Sequence, residues 1–115
     1  MPARAETPRA FIAKAAPLFA ALGDETRLRL LARLSADGPL SIARLSDEAP
    51  VTRQAITKHL DALAGAGLVR DTWRGRERLW QIQPQRVDDA RQYLERVSAQ
   101  WDDALGRLKA FVEGE

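Results

Sequence analysis

The chain of 115 residues contains no cysteine and a single histidine, His59. The first absence excludes disulfides, thiolate metal sites and a cysteine nucleophile together. The second excludes a histidine-rich metal site within one chain. It also leaves the four serines, Ser35, Ser41, Ser46 and Ser98, with no base nearby for nucleophilic catalysis. Neither an enzyme nor a metal or other cofactor is expected. No apolar run approaches the roughly 20 residues that span a bilayer. The opening "MPARAETPRA" has two prolines and no apolar h-region, so it does not look like a secretion signal. These absences predict a cytoplasmic protein without a membrane partner.

What is present fits one small domain with a modest core, since apolar residues make up 45% and charged residues 30%. Net charge is only +2, but it is unevenly spread. Residues 1–83 hold 13 Lys+Arg against 9 Asp+Glu, giving +4, and residues 84–115 hold 5 against 7, giving −2. A basic body with a mildly acidic end suggests an anionic partner for the first part.

After a tail predicted flexible over residues 1–8, helical spacing begins at Phe11, Ala15, Leu18, Phe19 and Leu22, with Pro17 expected to bend or restart the helix. Gly23 breaks the chain. Asp24 is then a fitting N-cap for a helix burying Leu28, Leu31 and Leu34. Ser41 can cap a short helix to about Glu48 with Ile42 and Leu45 inward, "APV" makes a turn, and Thr52 caps a helix ending near Gly65–Gly67. From Leu68 the pattern changes to strand, "RGRE" carries a turn signal, and Leu79, Trp80 and Ile82 lie on the return. Pro84 suits the first turn of a last helix running to about Val112. The fold class is mainly α with a small β-hairpin, and the order is that of a winged helix-turn-helix over residues 9–115.

The stretch "VTRQAITKHLDAL" holds the chemistry of interest. Ile56, Leu60 and Leu63 share one face and belong in a core, which sends Arg53, Gln54, Thr57, Lys58 and Asp61 towards solvent. Arginine forks onto guanine O6/N7 and glutamine onto adenine N6/N7, so Arg53 and Gln54 at a helix start suit base edges. Thr57 and Lys58 could reach a phosphate or another base edge, and the helix N-terminus itself favours a phosphate. His59 sits between the two faces, as a packing or phosphate contact. The hairpin places Arg70, Arg74, Arg76 and Arg78 against Asp71 and Glu77, so a wing beside the DNA backbone or minor groove is expected. Trp80 belongs under the hairpin. On the last helix, Leu94, Val97, Trp101, Leu105, Leu108 and Val112 form a stripe longer than three small helices can cover. A second copy of the chain is the expected cover, joined through Phe11, Leu18, Phe19 and Leu22 of the first helix and Leu94, Val97, Trp101, Leu105 and Leu108 of the last (84–112).

"ALGDETRLRLLARL", "TRQAITKHLDALAGAGLV" and "RGRERLWQI" together resemble the ArsR family of bacterial winged-helix repressors, in order and spacing, over about residues 11–112. The resemblance implies a homodimer, joined by first and last helices, that represses transcription by covering double-stranded promoter DNA, a two-fold symmetric operator, until an effector releases it. It implies a recognition helix over 52–64, with Thr52, Arg53, Gln54, Thr57, Lys58 and His59 at the DNA and Arg74, Arg76 and Arg78 on the wing. The metal-sensing cysteines of well-known members would fall in "SIARLSDEAP" and their Asp and His pairs on the last helix; this chain has neither set. That implies a non-metal branch. The competing reading keeps the fold but makes it a protein–protein module, an anti-repressor or scaffold, against which the arginine-rich wing stands.

Overall fold

The computed structural model describes residues 7–47 and 50–114. The order is α1 (Pro8–Leu22), α2 (Glu25–Asp37), α3 (Ile42–Ser46), α4 (Arg53–Gly65), β1 (Val69–Arg74), β2 (Glu77–Ile82) and α5 (Pro84–Glu113). Each of the first four helices starts where a side chain closes an orphan backbone donor. Thr7, Asp24, Ser41 and Thr52 accept from the amides of Ala10, Arg27, Arg44 and Ala55. Thr7 and Pro8 do not belong to the tail expected over 1–8, since Thr7 caps α1 and Pro8 opens it; residues 1–6 lie outside the described residues. The expected end of α3 near Glu48 also falls outside them, and the helix closes at Ser46.

Two helices differ from the spacing argument. α1 runs through Pro17 without a restart. Pro17 is exposed, and Ala15, Leu18 and Ala21 anchor the helix to the core on both sides of it, so burial outweighs the lost bond. α2 buries Leu30 and Leu34 rather than Leu28, which is 52% exposed. Packing of Leu30 and Leu34 into the core sets the phase of α2, and with that phase Leu28 points about 200° away from Leu30.

Trp80, Leu18, Leu45, Ile56, Leu60, Leu63 and Leu68 fill the centre. The α3–α4 pair is thus clamped over its own core through one face of α4, while α1 and the start of α5 close the other side. α4 ends in a Schellman turn: the amides of Leu68 and Gly67 donate to the carbonyls of Leu63 and Ala64, and Gly67 takes φ 78°. Leu68 then enters the core and turns the chain into the hairpin. β1 and β2 pair antiparallel from Val69↔Ile82 to Arg74↔Glu77. Gly75 and Arg76 form the two-residue turn, with positive φ (64°) at Gly75 alone, as a type II′ hairpin turn requires.

The hairpin is tied to the body by a contact that the periodicity did not show. Leu40 exchanges two backbone hydrogen bonds with Trp80, at 3.0 and 2.8 Å, adding a one-residue third strand. Trp80 is 1% exposed beneath the wing, as expected, with its Nε1 buried and lacking an acceptor among the described residues.

Candidate nucleic-acid interface

Thr52 sets the geometry of the α4 N-terminus. Its hydroxyl accepts from the Ala55 amide at 3.1 Å, so its role begins as a cap. The next two residues, Arg53 and Gln54, are exposed, and Lys58 is exposed one turn later. Thr57 is half-buried and its hydroxyl donates back to the Arg53 carbonyl at 2.9 Å, which occupies its proton inside the helix. Across the helix, Ile56, Leu60 and Leu63 are fully buried. One face of α4 is therefore fixed in the core and the opposite face is presented.

His59 lies on neither. Its Nδ1 accepts from Arg27 Nε of α2 at 3.2 Å, and Asp24 stands 3.9 Å away. Arg27 also reaches the carbonyls of Ala20 and Ala21 at the end of α1. The ring is a joint between α1, α2 and α4. Nothing in the spacing around His59 could have shown this, because its partner is 32 positions away.

The wing's arginines divide into two kinds. Arg74 and Arg76 are exposed at the tip. Arg78 is held on the strand: it donates to Asp71 at 2.7 Å and its guanidinium lies 4.5 Å from the Trp80 ring centroid. Trp73 is exposed on the outer strand.

The residues expected at a dimer interface are also placed unevenly. Leu18 is 1% exposed and belongs to the protomer's own core, because the same face of α1 that carries Ala15 and Ala21 turns inward. Phe11 and Phe19 are half-buried against Tyr93 of α5, with ring centroids 5.2 Å apart in each pair. Leu22 is half-buried against the core. On α5, Val97 is half-buried, whereas Leu94, Trp101, Leu105 and Leu108 are exposed, as are Phe111 and Val112 beyond them and Ile12 on α1. Phe111 and Ile12 enlarge the stripe beyond the residues expected.

Among the described residues no group of three or more His, Asp or Glu is placed to hold a metal ion. The α5 carboxylates are engaged: Asp88 accepts from Arg91 and Gln92, and Asp89 from Arg86. Arg91 chiefly, and Gln92, hold the Asp88 carboxyl below its usual range. No helix among the described residues is long and apolar enough to cross a membrane.

A helix-turn-helix domain family matches residues 22–72, which span α2 to β1. An HTH-type transcriptional regulator of Mycobacterium tuberculosis is 36% identical over 95 residues, covering 83% of this chain and 85% of that protein. Among solved structures, an ArsR-like transcriptional regulator from Rhodococcus sp. RHA1 superposes with a TM-score of 0.75 at 39% identity, over 86% of this chain and 92% of the other. The chain belongs to the ArsR family of winged helix-turn-helix transcriptional regulators. A homodimeric winged helix-turn-helix DNA-binding domain from Mycobacterium bovis, described as a possible ArsR-family regulator, gives 0.64 at 25% identity, over 87% and 91% of the two chains. The ArsR regulator described here is thus a transcriptional regulator with a helix-turn-helix DNA-binding domain, and its relatives are regulators rather than enzymes.

Proposed function

We propose that this ArsR regulator is a homodimeric, sequence-specific repressor that covers a two-fold symmetric operator and is released by a non-metal effector. The observation that carries the reading is the two-sidedness of α4. Arg53, Gln54 and Lys58 are presented while Ile56, Leu60 and Leu63 are fully buried on the same body as an arginine-tipped wing. In this reading Arg53 and Gln54 read base edges in the major groove. Thr52 and Lys58, with the α4 amides, hold phosphates, and Thr57 offers its methyl group and packing. His59 orients α4 through Arg27. Arg74 and Arg76 reach the backbone or minor groove, with Arg78 bracing the strand beneath them.

The exposed α5 stripe supports the dimer. Leu94, Trp101, Leu105, Leu108, Phe111 and Val112 form an apolar face that a monomer leaves in water, and a second copy covers it. Two recognition helices then meet half-sites about 34–36 Å apart on one face of the duplex. The chain's lack of cysteine and its single, already engaged histidine support a non-metal effector, and the cytoplasm is where such a protein meets DNA.

Gel shifts on the promoter region upstream of its own gene test the reading. A salt-sensitive, sequence-preferring complex is expected. Gln54→Ala should cut discrimination between operator and random DNA about tenfold. Arg76→Ala should instead weaken all sequences alike and lower the salt slope by about one. Equal effects of the two on specificity would overturn the assignment of roles.

A further inference from the structure

The hairpin carries near its tip an aromatic side chain that the rest of the chain leaves largely uncovered. Trp73, the last residue but one of β1, is 66% exposed. The hairpin packs chiefly on α2, α3 and α4, so Trp73 belongs to the DNA-reading body and not to the α5 stripe. We infer that Trp73 enters the minor groove beside each half-site and makes the wing select A·T over G·C pairs there.

The register explains why the ring is bare. Trp73 pairs across the ladder with Arg78, and Asp71 with Trp80, so these four side chains share one face of the hairpin. An arginine opposite a tryptophan can lie on its ring. Arg78 is instead drawn inward, donating to Asp71 at 2.7 Å with its guanidinium 4.5 Å from the Trp80 centroid. The Trp73 indole is left without a ring contact, and its Nε1 without an acceptor, among the described residues.

The chemistry around the ring names its partner. Arg74 and Arg76 are exposed and make no ion pair or hydrogen bond among the described residues. Asp71 and Arg78 cancel, and Glu77 offsets one of the two remaining arginines, so the tip keeps a charge of +1 (two minus one). That charge draws the tip to phosphates. Between them the minor groove is roughly 6 Å wide, which admits a flat ring edgewise. Its floor shows only acceptors at A·T pairs, whereas G·C adds the guanine amine, a donor. An indole N–H donates and cannot accept, so it finds a partner at A·T and a second donor at G·C. This role for Trp73 rests on the wing touching DNA.

The test uses duplexes from the footprinted region upstream of the gene, with the pairs flanking each half-site made A·T, G·C or inosine·C. Inosine lacks the guanine amine, so inosine·C shows the minor groove of A·T beneath the major groove of G·C. The wild type should bind the A·T and inosine·C duplexes alike and the G·C duplex about tenfold more weakly. Trp73→Ala should bind all three equally and lose about tenfold in affinity for the A·T duplex. Its salt slope should not change, because no cation is removed. Trp73→Phe keeps the ring without the donor, and should keep most of the affinity but little of the discrimination. In protein labelled with fluorotryptophan, the Trp73 signal, assigned through Trp73→Phe, should lose its heavy-water isotope shift on the A·T duplex. That signal decides the matter should Trp73→Ala fold poorly. Discrimination that groups inosine·C with G·C, or that survives Trp73→Ala, overturns the role of Trp73. If Arg76→Ala weakens binding and Trp73→Ala does not, the aromatic reader alone falls. If neither weakens a specific complex, the wing reading falls with it, and absence of any complex overturns the repressor reading as well.

Discussion

Asp24 and His59 each accept one hydrogen bond from Arg27, and the three residues join the end of α1, the start of α2 and the middle of α4. Asp24 caps α2, and the Arg27 amide is the main cause that holds its carboxyl below the ordinary 3.8, with desolvation working against it. A carboxyl depressed on folding contributes stability above its unfolded value and loses it as pH falls through the folded value. Asp24→Asn keeps a capping oxygen but not the charge. Denaturant titrations should therefore find the variant less stable than the wild type at pH 7, with the gap closing below about pH 4. A gap that widens on acidification would contradict this. The same residues show what spacing can and cannot convey. Helical periodicity placed His59 between two faces and Asp24 at a cap. It carried no sign of Arg27 beside His59, because that partner comes from another helix. Likewise Arg78 was legible as a wing residue, whereas its capture by Asp71 and Trp80 depends on hairpin register.

Among the elements, α4 was the most legible, since a cap, an apolar repeat at four and three residues and a glycine stop all agree on its limits. Thr52→Ala should cost about 1 kcal/mol of stability, and Thr52→Ser much less; equal losses in chemical denaturation would show that the cap is not the reason. The hairpin was legible from its turn, but its attachment was not. Leu40 forms a single-residue bridge, and one residue has no period to detect. The phase of α2 escaped for a related reason: Leu28, Leu30, Leu31 and Leu34 permit two overlapping stripes, and only tertiary packing chooses between them. Gly75 carries the wing turn at φ 64°, with open space where a Cβ would go. Gly75→Val should strain the turn by about 1–2 kcal/mol through backbone conformation alone. Gly75→Asn should be better tolerated. Amide exchange in β1 and β2 distinguishes the two, and a steric origin would make both equally disruptive.

For the whole molecule, the sequence indicated more apolar surface than one copy buries, and the structure shows where it lies. The last helix is 30 residues long, and its outer half, from Trp101 onward, is exposed along its full length. Trp101→Glu should leave the core intact and yield monomers in sedimentation velocity, with operator affinity falling at least tenfold; a dimer that survives this change would place the interface elsewhere. Leu60→Ala, by contrast, opens a cavity at a fully buried position and should cost about 2–5 kcal/mol in either oligomeric state.

The unpaired stripe on α5 has a consequence beyond shape. If the form that grips DNA is assembled from two identical chains, its abundance follows mass action. Where single chains predominate, halving their number leaves roughly a quarter of the assembled form. The exposed leucines and tryptophan would then act as a dosage sensor, so that dilution by cell growth loosens repression faster than the chain itself is lost.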